Sequence, residues 1–209
     1  MQLFTRRVHL VGPPRETMAY ATDMCSYVSE KTGRDIALWA TMFGAPIGTM
    51  FYTVRVDGLA DLQAATASFL DDDEYHAKLT AGGAVLCAPA EDAFVTPLFG
   101  ELGHPPPVGS FAQVTSAVIA NGKYEDAFAW GAEIAAYTSK LAGMPELFLA
   151  GQFGAFGNVT WVGGAPDLAT VDRSMATVNA DAGYLKRLVA AKELFQEGSG
   201  QQVLIQRLA

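Results

Sequence analysis

Two polar residues near the start of the chain have side chains suited to acid–base chemistry. Residues 3–11 alternate between apolar and polar types, and Arg7 and His9 belong to the polar set. Because successive side chains of a strand point to opposite faces, we expect the apolar set to face helices and the polar pair to face the barrel side. A guanidinium can bind a carboxylate or enolate oxygen, and an imidazole can act as a general base. Arg7 and His9 are therefore our candidate catalytic residues; the alternative is a solvated rim or a subunit contact.

Four further residues are candidates for holding a flat substrate. Trp39, Tyr52, Arg55 and Trp161 lie in segments predicted to be strands of two hairpins. Aromatic side chains offer a large contact area to a flat ligand, and Arg55 adds a positive charge. We predict that these four residues bind substrate, with ordinary core packing as the alternative for each. Both faces of the first hairpin are apolar, so the sequence leaves open which face lines a cavity.

The chain repeats itself at an offset of 110 residues. Tyr27 and Gly33 recur as Tyr137 and Gly143, and the Phe-Gly-Ala tripeptide at 43–45 recurs at 153–155. Self-similarity at a fixed period indicates a duplicated structural unit.

The duplication allows the polar positions of the two copies to be compared. At the 110-residue offset, Ala117 and Ile119 correspond to Arg7 and His9. At an offset of 109 residues, Gly164 of the second copy corresponds to Arg55 of the first. Polar groups at these positions are confined to the first copy, which favours a functional site there.

Each copy contains the same order of predicted elements. A strand and a glycine-capped helix are followed by a hairpin, a second helix and a last strand. This β-α-β-β-α-β order is that of the ferredoxin-like unit. We predict repeat 1 at residues 1–100, a proline-rich linker at 101–110 and repeat 2 at 111–209. The predicted fold class is α+β, with tandem ferredoxin-like repeats forming an antiparallel α/β barrel around an apolar cavity. Whether the barrel closes within one chain or between two chains stays open.

The element order, the paired copies and the segment around Tyr75 and Tyr184 resemble the dimeric α/β-barrel superfamily in a tandem single-chain form. The resemblance is to members of the antibiotic-monooxygenase and NIPSNAP type, and it covers nearly the whole chain. The superfamily also includes haem-degrading enzymes, polyketide cyclases and chlorite-dismutase-like haem proteins. The resemblance implies that His76, which corresponds to Leu185, is the haem ligand if haem is bound. The alternative for His76 is a surface position near a helix N-terminus.

The overall composition argues against several classes of function. The net charge is −8 and no run of Lys and Arg occurs, so we expect no nucleic-acid partner. We find no secretion signal and no stretch that is long and apolar enough to span a bilayer, so we expect a cytoplasmic location and no membrane partner. The two cysteines and three histidines lack metal-ligand spacing, so no metal site is expected. Assembly as a homodimer is left open.

Three functions are compatible with these features. The leading hypothesis is a cofactor-free enzyme that acts on a small apolar or aromatic, polyketide-like molecule in the barrel cavity, by monooxygenation, cyclisation or isomerisation. Such chemistry needs little more than desolvation and a positioned base or cation. One alternative is a non-enzymatic ligand-binding or assembly module whose barrel is filled by side chains. The other is a haem-binding member that uses His76 or His9 as its ligand.

Overall fold

The computed structural model describes all 209 residues, which form eight strands and six helices in an order that repeats once. The first-half elements are β1 (Gln2–His9), α1 (Pro14–Thr32), β2 (Ala37–Phe43), β3 (Thr49–Val56), α2 (Leu59–Ala67), α3 (Asp73–Gly82) and β4 (Glu91–Phe99). The second-half elements are β5 (Phe111–Val118), α4 (Tyr124–Ala142), β6 (Glu146–Gly151), β7 (Asn158–Ala165), α5 (Leu168–Ala180), α6 (Ala182–Ala190) and β8 (Gln201–Arg207). Each half has the predicted element order, with its second helical segment divided into two helices.

The eight strands form one closed antiparallel barrel in the order β1-β3-β2-β8-β5-β7-β6-β4. The last strand of each half pairs with the second strand of the other half, β8 with β2 and β4 with β6. The predicted α+β barrel is therefore confirmed, and it closes within a single chain. Closure leaves no edge strand with unpaired backbone groups.

The ends of the helices coincide with residue types that favour them. α1 and α4 end at Gly33 and Gly143, whose φ angles of 64° and 68° lie in the left-handed region that glycine adopts without a Cβ penalty. Asp72 and Asp181 cap the N-termini of α3 and α6 by accepting hydrogen bonds from backbone N–H groups. An aspartate in this position satisfies an otherwise unpaired donor of the first turn.

The barrel separates an inner face from an outer face that the helices cover. Trp39, Ala112 and Ile205 form a buried apolar cluster inside the barrel. On the outside, Phe148 and Trp161 are buried against α4. The strands therefore carry apolar side chains on both faces, which explains why hydrophobic pattern alone does not distinguish them.

The strand register corrects the offset between the copies. The bridge from Leu10 to Leu86 has its equivalent in the bridge from Ile119 to Phe195, so the first strands are related by 109 residues and not by 110. The connection before α4 is one residue longer than the connection before α1. A shift of one residue moves a side chain to the opposite face of a strand.

As a result, two of the expected counterparts are wrong. Arg7 pairs with Phe51, and the equivalent pair in the second half is Ser116 with Thr160. Ser116 and Val118, and not Ala117 and Ile119, therefore correspond to Arg7 and His9. The comparison still finds charged side chains at these positions only in the first half.

A chain segment without regular structure joins β4 to β5, and a buried arginine ties it to the barrel. Arg207 is only 8% exposed, donates to the Pro106 carbonyl and pairs with Asp35 at 3.0 Å. The segment is thereby attached to both halves. None of the six helices combines the length and the apolar character needed to cross a membrane.

Candidate ligand-binding site

A cavity of about 410 Å³ lies on the outside of the barrel, between the sheet and the first-half helices. We call it the first-half cavity. Its floor includes Phe4, Val8 and Val54 from β1 and β3, and its walls include Met24 from α1 and Leu62 from α2. Hydrophobic residues make up 19 of its 25 lining residues. The volume lies in the range of small-molecule pockets, roughly 300–1,000 Å³.

Burial keeps three groups of the cavity lining, the hydroxyls of Tyr20 and Tyr52 and the thiol of Cys25, protonated at neutral pH. The Tyr52 hydroxyl donates to the Ala21 carbonyl at 3.2 Å, and burial raises the pKa of Tyr52 and of Tyr20. Burial also raises the pKa of the Cys25 thiol to about 11. These groups are therefore not poised as bases or nucleophiles, and the Tyr52 hydroxyl and the Cys25 thiol already donate to backbone carbonyls.

Two ion pairs adjoin the cavity lining, because Arg34 pairs with Asp61 and Arg6 pairs with Asp92. The Arg6 guanidinium, which lines the cavity, donates to both carboxylate oxygens of Asp92 at 2.8 Å each. The hydrogen bond to Asp92 is the main reason why the pKa of Arg6 is raised. Both side chains are more than two-fifths exposed, so the pair contributes at most about 1 kcal/mol to stability. Its larger effect is to orient a charge pair beside an apolar chamber.

The predicted catalytic pair lies elsewhere. Arg7 forms an ion pair with Glu91 at 3.0 Å, and both side chains are about half exposed or more. His9 is the last residue of β1, and its Nδ1 lies 3.3 Å from the Thr49 hydroxyl. Neither residue lines the first-half cavity. The exposed position of Arg7 corresponds to the solvated rim that was the alternative for this pair, whereas His9 is half-buried. A catalytic role for the two residues stays a prediction.

The predicted substrate-binding residues are divided between the two faces of the barrel. Trp39 lies inside, in the apolar cluster, and its indole N–H donates to the Thr53 hydroxyl at 3.1 Å. Arg55 is partly buried, its Nε has no hydrogen-bond partner, and burial lowers its pKa. Of the seven predicted site residues, Tyr52 is the one that lines the first-half cavity.

Trp161 and Tyr52 are structurally equivalent, as the repeat suggests, but both lie on the helix side. The Trp161 indole N–H donates to the Gly131 carbonyl of α4 at 3.0 Å, as Tyr52 donates to Ala21 of α1. Trp161 also stacks on Phe148 with ring centroids 4.9 Å apart. It is therefore packed under a helix, which corresponds to the core packing that was the alternative for this residue.

The geometry does not fit haem in the first-half cavity. No histidine lines it. His76 lies on the exposed side of α3, where its Nε2 is 2.7 Å from the Leu70 carbonyl oxygen. The thiol of Cys25 and the hydroxyl of Tyr52 also line the cavity, but the raised pKa of each disfavours the anionic form that ligates haem iron.

Sequence reasoning missed this cavity and the residues that surround it. Arg6, Tyr20 and Tyr75 line it, but the alternation in β1 marks Arg6 only as a member of the set that faces the helices. A charged residue in that apolar set was the available signal, because a charge beneath helices needs a partner or a ligand.

Several solved structures match the chain, although no protein-family model and no protein with a curated description does. A monooxygenase candidate from Fusobacterium nucleatum subsp. nucleatum is 8% identical with a TM-score of 0.72, covering 100% of this chain and 92% of that chain. An anthrone oxidase-like protein is 11% identical with a TM-score of 0.72 and the same coverage. A haem-binding protein from Thermus thermophilus is 11% identical with a TM-score of 0.52, covering 100% of this chain and 91% of that chain.

Structural similarity at such low sequence identity shows a common fold and does not show a common reaction. The similar structures span nearly the whole chain, in agreement with the barrel that its two halves form together. The resemblance that the sequence suggests is thus confirmed at the level of architecture: the chain shares its fold with these structures, and its eight-stranded α/β barrel closes within a single chain.

Proposed function

We propose that the protein is a cofactor-independent enzyme that binds a small aromatic molecule in the first-half cavity and oxidises it with dioxygen. The observation that carries this proposal is the apolar chamber of about 410 Å³ between the sheet and the first-half helices. The names of two similar structures, a monooxygenase candidate and an anthrone oxidase-like protein, support an oxidation. The proposed site lies on the helix side of the sheet, whereas the sequence suggested a site in the barrel interior.

The lining favours a ligand that is mostly apolar. Burying roughly 300 Å² of apolar ligand surface contributes about 7 kcal/mol, and the lost freedom of motion offsets much of this. A few hydrogen bonds must therefore supply the remaining affinity and the orientation. Tyr20 and Tyr75 offer hydroxyls in the cavity, and Arg6 offers N–H groups. A planar phenol or aromatic ketone matches this combination.

The chemistry requires no bound cofactor when the substrate has an acidic methylene. Loss of a proton from that carbon gives a resonance-stabilised carbanion, which dioxygen oxidises. The overall conversion of R₂CH₂ and O₂ into R₂C=O and H₂O balances without an external reductant. An apolar substrate that fills the chamber displaces water from it, and Arg6 stabilises negative charge that develops on a substrate oxygen. Asp92 is not itself one of the lining residues, but its carboxylate is held by Arg6, which lines the cavity, and Asp92 is our candidate proton acceptor.

The test uses 1,8-dihydroxyanthrone as the substrate probe and an oxygen electrode as the detector. We expect protein-dependent oxygen uptake, with one quinone formed per dioxygen consumed. Ala65→Trp should abolish the uptake, because Ala65 of α2 lines the cavity and an indole would fill it. Ala64→Trp is the matched control, because Ala64 lies on the exposed side of the same helix.

Two results would count against the oxidation. One is uptake no faster than the uncatalysed reaction, and the other is equal activity in the Ala64 and Ala65 variants. Asp92→Asn should lower kcat more than it raises KM, because a proton acceptor acts on the reaction and not on apolar binding.

A ligand-binding module without catalysis is the second candidate. It is favoured by the protonated state of Tyr20, Tyr52 and Cys25, which leaves the cavity lining without a strong base. This candidate predicts saturable binding of the anthrone, blocked by Ala65→Trp, with no oxygen uptake. A haemin titration followed by absorption tests the haem alternative, and we expect no saturating Soret shift because His76 and His9 lie outside the cavity.

A further inference from the structure

A second cavity lies in the other half of the molecule, at the position equivalent to the first. This second-half cavity has a volume of about 200 Å³ and lies between the sheet and the helices α4, α5 and α6. Tyr184 lines it where Tyr75 lines the first-half cavity. Thr115 occupies the position equivalent to that of Arg6. Thr115 accepts a hydrogen bond from Gln202, whereas Arg6 pairs with Asp92.

The two cavities differ in chemical character. Only 5 of the 14 residues that line the second-half cavity are hydrophobic, against 19 of 25 in the first. Its polar side chains come from three strands and three helices. Besides those of Glu146 and Thr138, they are Gln113, Thr115, Ser174, Asn179, Tyr184 and Gln202. Such a lining matches a ligand with hydroxyl groups and disfavours an aromatic hydrocarbon.

Glu146 is the one charged residue in this lining. It occupies the position of Ile36, and its partner Thr138 occupies the position of Val28. The Thr138 hydroxyl is the hydrogen-bond partner of Oε2 of Glu146, and it also lies 2.8 Å from the Ile134 carbonyl oxygen. Oε1 of Glu146 accepts no hydrogen bond, and no Lys, Arg or His pairs with the carboxylate. Of the groups that face Glu146 across the cavity, Tyr184 is the one other titratable side chain.

We propose that the second-half cavity binds a small hydroxylated organic cation, of the amino-alcohol type, whose charged nitrogen pairs with Glu146. A partly buried carboxylate without a cation is unfavourable, and a positively charged ligand removes that penalty. The ring of hydroxyl and amide groups supplies partners for the hydroxyls of the ligand. The net charge of −8 also attracts cations to the molecule.

The volume of the cavity and the chemistry of its lining restrict the kind of cation that it can bind. A volume of about 200 Å³ holds six or seven groups of water size, at roughly 30 Å³ each. A divalent metal ion in proteins is normally held by several carboxylate or carbonyl oxygens, and the structure has no group of three or more His, Cys, Asp or Glu suited to a metal. One carboxylate among neutral polar groups fits a singly charged ammonium.

The test compares two probes of equal size, 2-aminopropane-1,3-diol and glycerol, which differ in an ammonium group and a hydroxyl. Isothermal titration calorimetry at neutral pH should give an affinity for the amine about tenfold higher or more, because its hydrogen bond to Glu146 is charge-assisted. Glu146→Gln should reduce the amine to the level of glycerol. Glu197→Gln, which changes an exposed glutamate outside the cavity, should leave the preference intact.

A pH series on the unaltered protein gives a second readout that does not depend on the folding of a variant. Burial raises the pKa of Glu146, so amine binding should strengthen as the pH rises and the carboxylate loses its proton, while glycerol binding stays constant. Equal binding of the two probes, no binding of the amine, or an amine preference that survives Glu146→Gln would each overturn the proposal. None of these outcomes tests the first-half cavity, for which 1,8-dihydroxyanthrone is the probe.

Discussion

Single side chains give the two equivalent cavities opposite characters. Ile36 and Val28 in the first half are replaced by Glu146 and Thr138 in the second, so an apolar contact becomes a hydrogen-bonded carboxylate. A duplicated fold supplies the same chamber twice, and the side chains that line each copy then determine what it can bind.

The buried carboxylate should make the stability of the ligand-free protein depend on pH. Burial raises the folded-state pKa of Glu146 above its unfolded value, so the folded state holds more protons between the two values. The Glu146 contribution to the free energy of unfolding therefore falls as the pH rises through that window. We expect Glu146→Gln to gain stability relative to the unaltered protein as the pH rises from about 4.5 towards neutrality in urea titrations. A constant difference between the two proteins across this range would contradict the assignment.

The two cysteines should differ sharply in reactivity. Cys25 is 2% exposed, its pKa is raised to about 11 by burial, and its thiol donates to the Ile36 carbonyl at 3.2 Å. Cys87 is exposed. Because the thiolate is the reactive form, iodoacetamide at about pH 8 should label Cys87 and leave Cys25 unmodified in the folded protein. Peptide mapping by mass spectrometry measures both sites, and labelling of both in urea is the control for reagent access.

At this scale the sequence predicted little of the candidate site. Arg7, His9 and Trp161 were chosen because their types are functional, but which chamber a side chain reaches depends on the distance between helix and sheet. Small residues such as Ala65 and Ala88 line the cavity, and they carry no chemical signature in the sequence. The comparison of the two copies correctly identified Tyr52 and Trp161 as an equivalent pair. Each of the two side chains donates a hydrogen bond to a carbonyl of the first helix in its own half.

The secondary-structure elements were predicted more reliably, because local rules decide them. Glycine caps, aspartate caps and hairpin turns mark the ends of the helices and strands. The pairing of β2 with β8 and of β4 with β6 was not readable, because barrel closure is a property of whole sheets. The offset error in β1 arose from a single extra residue before α4, which flips every side chain of the strand in a comparison.

The contact between α4 and the sheet gives a prediction at the scale of elements. A Cβ at Gly131 would lie 2.2 Å from a ring carbon of Phe148, which is fully buried and stacks on Trp161. Although alanine is the better helix former by about 1 kcal/mol, we expect Gly131→Ala to destabilise the protein by about 1–3 kcal/mol. Urea unfolding measures the difference. Gly164→Ala, where no atom lies within 4 Å of the added Cβ, should change stability by less than about 0.5 kcal/mol.

At the scale of the whole molecule, the two halves share one barrel. Each half contributes four strands, and the two seams between the halves are strand pairings, each with one register shift. Arg207 of β8 adds a contact to Asp35 of the first half. The first half cannot lose its structure without opening the barrel of the second, so we expect one cooperative unfolding transition.

Tryptophan fluorescence can test this coupling, because Trp39 lies in the first half and Trp130 and Trp161 lie in the second. In a Trp130→Phe/Trp161→Phe variant, Trp39 alone reports on unfolding. Val171→Ala in α5 then removes buried methyl groups from the second half, at a cost of roughly 2 kcal/mol. If the barrel unfolds as one unit, the urea midpoint reported by Trp39 must fall with that substitution, although residue 171 is outside the first half. An unchanged Trp39 midpoint would mean that the halves unfold independently, and the barrel would then be two separable units in contact.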